Sequence, residues 1–330
     1  MHLELAVPGL LRARASLPAI ELLLARGRRR GAEPATLEAW YARTFGLDDA
    51  ALPAGALTAL GAGLDAAHGT WLRADPVHLR ADRDRAVIVP SAAFAIEPAE
   101  ASALAAALHR HFAEDFALHV VRPDAWCVRP RGDAPPAGER PPVELAGQDV
   151  DAALPDKRWH ALLNEIQMAL YQDDVNTARE ARGVPVVNSV WLWGSGALPP
   201  SARAPWASVS ADDPVALGLA RLAGMRHRAP GAGAREWLER APLEGRHLVV
   251  LDALRAPRAL GDDEALDALA KRLESEWFAP VLEALRDSRV GMATIHVPDA
   301  GLAFETVRGD LRRFWRRARP LSAYAPAERP

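Results

Sequence analysis

Between Trp159 and Pro199 the chain gathers residue types that suit the capture of an anion. The run holds a helix, a polar hinge with Asp173, Asp174, Asn176 and Arg179, and a turn at Gly183-Val184-Pro185. A strand then enters Gly194-Ser195-Gly196. Glycines straight after a strand let the backbone approach a ligand and aim N–H groups at negative charge. Arg179 and Arg182 add forked donors that match phosphate or carboxylate. The same residues also describe a packed aromatic strand closed by an ordinary turn, and strand-then-glycine alone does not separate the two. Upstream, Arg73 and Asp75 lie two apart on an extended segment and so point the same way. They either clamp a ligand or pair with each other at the surface.

Other chemistry-bearing residues give less. Ser16, Thr36, Ser195 and Ser208 are possible nucleophiles, but none lies in a GxSxG elbow or beside a histidine-bearing motif. His109 and His111 stand about 200° apart on a helix and cannot readily share one ion, which leaves His119 and Cys127 without a metal site to complete. The run from Arg308 to Arg319, RGDLRRFWRRAR, interleaves bases and aromatics in the manner of a nucleic-acid surface. Arginine is the default base of this chain, so the plainer expectation is a closing segment that docks Leu311, Phe314 and Trp315.

The elements that must position these residues alternate short apolar strands with amphipathic helices, the pattern of an α/β fold with a largely parallel sheet. Strands are predicted at 3–7, 86–89, 116–121, 189–193, 247–251 and 291–297. Helices are predicted at 17–26, 36–44, 98–111, 157–171, 214–222 and 263–286. Trp159, Leu162, Leu163, Ile166 and Leu170 form an i, i+3, i+4 stripe that must face a core. Pro98 suits a first helical position, whereas Pro280 should kink or break the last helix. The stretch PRGDAPPAGERPP at 130–142 reads as an exposed loop.

A chain of 330 residues can bury a large core. A net charge of -3 argues against a general nucleic-acid or anionic-membrane binder. The single cysteine excludes an internal disulfide and a multi-cysteine zinc site, and it fits a reducing compartment. The apolar run at 20–25 is too short for a leader, and no stretch is long enough to span a bilayer. A cytoplasmic protein is expected.

The Trp159–Pro199 segment resembles the archaeal-type cofactor-independent phosphoglycerate mutases of the alkaline phosphatase superfamily. The matching residues are Val175-Asn176, Arg179, Gly183, Pro185, Asn188 and Trp191-Leu192-Trp193-Gly194-Ser195-Gly196. Leu222-Ala223-Gly224-Met225 looks like a further family segment. A bacterial group, the RpfE-type regulatory proteins, is more similar still, through WLRADPVHL at 71–79, NEIQM at 164–168 and NSVWLWG at 188–194. The resemblance implies an alkaline-phosphatase-like core at 1–70 and 186–330, with a smaller α/β lobe inserted at 71–185. It implies ligand contacts at Arg73, Asp75, Asn176, Arg179, Asn188, Trp193, Gly194 and Gly196.

The departures concern catalysis. Active family members hold two divalent metals, usually manganese or zinc, on Asp and His residues, and they pass the phosphoryl group through a serine at a helix start. Here the first Asp-Gly pair reads Pro8-Gly9, and the nucleophile position falls at Thr36. The later Asp-x-x-x-His segment reads Arg255 and Ala259. Near the final strand, His296 and Asp299 stand in reversed order. Transition metals need several deprotonated ligands converging on one point, so the expectation is a protein without a metal pair and without catalytic residues. It would bind a phosphorylated metabolite or a regulatory protein, and neither nucleic acid nor membrane. Two alternatives stay open: an active mutase or phosphatase whose metals use Asp252, Asp262, Asp263 or His296, and a scaffold that binds only protein.

Overall fold

The computed structural model describes residues 1–47, 52–82, 85–150, 158–171, 173–242 and 244–326. The chain forms two compact units, one of residues 1–49 with 201–330 and one of residues 50–200.

The first unit is built on a seven-stranded sheet in the order β2-β12-β11-β1-β10-β8-β9. The strands are β1 (His2–Ala6), β2 (Arg28–Gly31), β8 (Ser208–Ser210), β9 (Arg226–Arg228), β10 (Arg246–Val250), β11 (Met292–Val297) and β12 (Leu302–Val307). From β11 to β9 every neighbouring pair is parallel, while β12 and β2 form an antiparallel edge. The expected largely parallel sheet is this one.

Strand alternation sorts its two faces. Leu3, Leu5, Val249, Ala293 and Ile295 join one core cluster. That cluster also takes Ile20 and Leu23 of α1 (Pro18–Arg26) and the apolar side of the last helical run. The in-register partners His2, Glu4, Arg246, Thr294 and His296 occupy the other face.

The last helical run is continuous from Asp263 to Arg286, with a π-turn at Glu274–Phe278. The break expected at Pro280 therefore takes the form of a widened turn just before it, which absorbs the missing N–H without ending the helix. That turn also places Glu274 over α1, where its carboxylate accepts the Ala19 and Ile20 N–H groups at 2.5 and 3.2 Å. Burial raises the Glu274 pKa.

In the second unit all strand pairings are antiparallel. Its spine is β3 (Trp71–Asp82), which pairs with β4 (Arg85–Pro90), β6 (Ala125–Pro130) and β7 (Ser189–Gly196); β5 (Phe116–Arg122) completes the sheet beyond β6. Helix α3 (Ala54–Gly61) lies on β3 so closely that a Cβ on Gly55 would stand 2.4 Å from the Leu72 backbone. Both α3 and β7 thus fold with residues 50–200, not with the terminal segments to which 1–70 and 186–330 assigned them.

Helices at Pro98–His111 and Arg158–Tyr171 match their expected positions, except that position 157 lies outside the described residues. The 130–142 stretch is irregular, yet Gly138 is pinned between Leu192 and Gly194 of β7 by backbone hydrogen bonds of 2.8 and 3.1 Å. The expected docking of the closing segment holds for Leu311 alone, which packs against the core; Phe314 and Trp315 are exposed.

Candidate functional site

In an open parallel sheet ligands settle beyond the C-terminal ends of the strands. In the first unit these ends carry Pro8-Gly9 after β1, Asp252 to Arg258 after β10 and Pro298 to Gly301 after β11. Gly9 has φ +86° and sits 3.0 Å, measured from a notional Cβ, from the Leu254 carbonyl, so only glycine fits. Its N–H donates to Asp299 Oδ1 at 2.9 Å, and Asp299 also pairs with Arg258 at 3.3 Å.

Arg255 opens the short helix Arg255–Leu260 and forks onto both oxygens of Glu38 at 2.7 Å each. Glu38 lies in the first turn of α2 (Leu37–Thr44), whose N-cap is Thr36. Thr36 Oγ1 accepts the Ala39 N–H at 3.2 Å, its one hydrogen-bond partner among the described residues. Next to Glu38 on the helix, Tyr41 is fully buried. Burial, with the nearby carboxylates of Asp213 and Asp252, raises its phenol well above the ordinary value.

The metal pair implied by the resemblance does not fit these residues. At its first ligand position stands Pro8, beside which the Gly9 N–H donates to Asp299, and at a later one the Arg255 guanidinium is already paired with Glu38. The four substitute ligands are dispersed. Asp262 caps a helix by accepting the Ala265 N–H, Asp263 pairs with Arg14, and His296 hydrogen-bonds Glu4. Asp252 lines a cleft of about 250 Å³ with Asp212, Arg272, Glu276 and Trp277. Among the described residues, no group of three or more His, Cys, Asp or Glu side chains could hold an ion.

Two polar arrangements here went unnoticed in the sequence. Glu4, 1% exposed in mid-strand, accepts from His296 at 2.8 Å and Arg246 at 2.7 Å. Burial opposes its ionisation, but these donors win and hold it at about 2. The charge inside LELAV was the available signal. Ser208 and His247 form a hydrogen-bonded pair at 2.8 Å, enclosed beneath Trp237. Neither side chain opens to a substrate, so the pair is structural.

The expected ligand contacts all fall in the second unit, where the protein itself takes up their polar groups. Arg73 donates to Asp75 Oδ1 through Nε and Nη2 at 2.9 and 2.6 Å, and to Thr58 at 3.2 Å. Trp193 Nε1 donates to Asp75 Oδ2 at 2.8 Å, and the guanidinium lies over the Trp193 ring. The pairing of Arg73 with Asp75 is real, but it is buried and not at the surface. Burial lifts Asp75 to about 6 against the attraction of Arg73, and pushes the adjacent Cys127 thiol up to about 12.

Asn176 bridges the Leu170 and Val187 carbonyls and accepts the Val187 N–H, all at 2.9 Å. Arg179, 1% exposed, donates to the Pro185 and Ala95 carbonyls and pairs with Glu100, which Arg182 also contacts. Asn188 clasps the Leu79 backbone from both sides. Gly194, at φ +58°, permits close approach of Ala54, and Gly196 that of Pro53. The sequence brings these eight residues into one unit; the geometry makes them joints between its elements.

No family model matches this chain, and no curated protein does. Among solved structures it is similar to the PH0037 protein from Pyrococcus horikoshii. The TM-score is 0.54 at 15% identity, over 93% of this chain and 87% of that one. A cofactor-independent phosphoglycerate mutase from Thermoplasma acidophilum DSM 1728 gives 0.43 at 19% identity, over 99% and 95%. The first comparison shows a shared fold. The second lies below the level at which one follows.

Proposed function

We propose that this chain is a mutase-like protein of the kind its motifs resemble, one that acts in regulation by binding and not by turnover. The observation that carries the reading is the Arg255–Glu38 fork. A fixed cation on the protein stands where the resemblance calls for a metal ligand, and it is already neutralised. Phosphoryl transfer needs charge stabilisation on the moving group and an activated nucleophile. The hydrogen bond of the Thr36 hydroxyl is the helix cap it accepts from Ala39.

Of the two binding readings, the internal pairing of Arg73, Asn176 and Arg179 favours a protein partner over a phosphorylated metabolite. Their donors are turned onto carbonyls and carboxylates of the same unit. The test is a phosphoglycerate mutase and phosphatase assay with manganese or zinc added, beside calorimetric titration with 3-phosphoglycerate. No turnover above a Thr36→Ala control is expected, and no binding heat. Metal-dependent turnover that Thr36→Ala removes would restore the enzyme, and saturable binding lost in Arg73→Ala would restore the metabolite reading.

A further inference from the structure

The outer edge of the first unit's sheet carries a feature that the binding reading leaves unused. Strand β2 is the last strand on that side, and all four of its residues, RRRG, are exposed. The segment after β12 folds back beside it. The Arg26 guanidinium meets the Leu311 carbonyl, Arg313 donates to the Arg26 carbonyl at 3.1 Å, and Arg316 donates to the Gly27 carbonyl at 2.9 Å. Leu321, 1% exposed, anchors the far end.

Two segments far apart in sequence, 26–31 and 308–319, thus form one surface. Within them stand ten of the chain's forty basic residues and a single acid, Asp310. Asp310 pairs with Arg313, and Glu305 of β12 pairs with Arg30. A general arginine bias does not account for such concentration in a protein of net charge -3.

Out of this basic surface project two rings. Phe314 and Trp315 occupy a turn and are 78% and 66% exposed, packed mainly against each other at 5.3 Å. Charged edge strands are a common defence against aggregation, but that defence is weakened, not served, by two exposed aromatic side chains.

We propose, against the expectation from net charge of no membrane partner, that this locally basic edge docks the protein on an anionic phospholipid surface. Phe314 and Trp315 would enter the interfacial layer, while Arg28, Arg29, Arg312 and Arg317 stay in the plane of the lipid phosphates. Aromatic rings favour that boundary, and arginine reaches headgroups while its stem stays apolar. The ring geometry favours lipid over single-stranded nucleic acid. Base stacking uses an open ring face, whereas these two rings meet edge to face at 82° and cover part of each other. No helix among the described residues is long and apolar enough to cross a membrane, so the attachment is peripheral. This inference is independent of what occupies the crevice.

Co-sedimentation of the full chain with vesicles tests it. One set is phosphatidylcholine alone, the other equal parts phosphatidylcholine and phosphatidylglycerol. Binding is expected to the mixed vesicles only, and to be lost in about 0.5 M salt. Phe314→Ser with Trp315→Ser should weaken it about tenfold, and each of Arg28→Glu, Arg312→Glu and Arg317→Glu by about fivefold or more. All these side chains are exposed, so far-UV circular dichroism should be unchanged. Absence of vesicle binding overturns the proposal, as does equal binding to both sets or indifference to the ring substitutions. Salt-sensitive binding of a single-stranded oligonucleotide without vesicle binding would reassign the surface to nucleic acid.

Discussion

Two buried carboxylates in this protein respond to acid in opposite directions. Glu4 is held at about 2 in the folded chain by its donors. An unfolded glutamate titrates near the usual range, so Glu4 contributes about 3 kcal/mol of stability that is present above that range. The contribution is lost as pH falls from roughly 4.5 to roughly 2. Glu4→Gln should therefore destabilise at neutral pH, with the difference from wild type closing on acidification; urea melts at stepped pH measure this.

Asp75 is raised instead, to about 6. Its protonated form suits the folded state better, so its contribution is most favourable at acid pH and declines as pH rises toward 6. Removing its cation is a different perturbation. Arg73→Met strips the buried Asp75 carboxylate of the attraction that opposes its desolvation, which should cost about 3–5 kcal/mol. Chemical denaturation at pH 7 would show it as a lowered midpoint with an unchanged slope.

At the scale of elements, β1, β4, β5, β7, β10 and β11 fall where strands were predicted, whereas β3, β6 and β12 were not among the predicted strands. Helices at Pro98–His111 and Pro214–Leu222 fall where they were expected. β8 and β9 have three residues each, too few to show a period, and β2 is nearly all arginine. Such strands exist because a neighbour templates them. The candidate site was legible only as residue types. That Arg73 and Asp75 share a side followed from strand geometry, but their burial depends on Trp193 and Thr58, which come from other elements. Nothing local couples Arg255 to Glu38, 217 residues away. Helix α3 shows the same dependence on contact. Gly55→Ala must push it off β3, and a loss of about 1–3 kcal/mol is expected, read as a lower melting temperature.

In the first unit as a whole, arginines sit against the carboxylates at the C-terminal ends of the strands. Arg255 pairs with Glu38 and Arg258 with Asp299, each carboxylate offset by a guanidinium of the same unit. Calorimetry before and after dialysis against a chelator should give the same melting temperature. A clear fall would mean that a structural metal had been removed.

β1 lies at the centre of its sheet between β10 and β11, and both of those partners follow residue 245. On the ribosome β1, once made, waits roughly 10–50 s for its neighbours at ordinary synthesis rates. Residues 50–200 can complete their own sheet from one uninterrupted stretch in the meantime. The LELAV segment has no such recourse, and until β10 and β11 have been made it is an apolar stretch for a chaperone to shield.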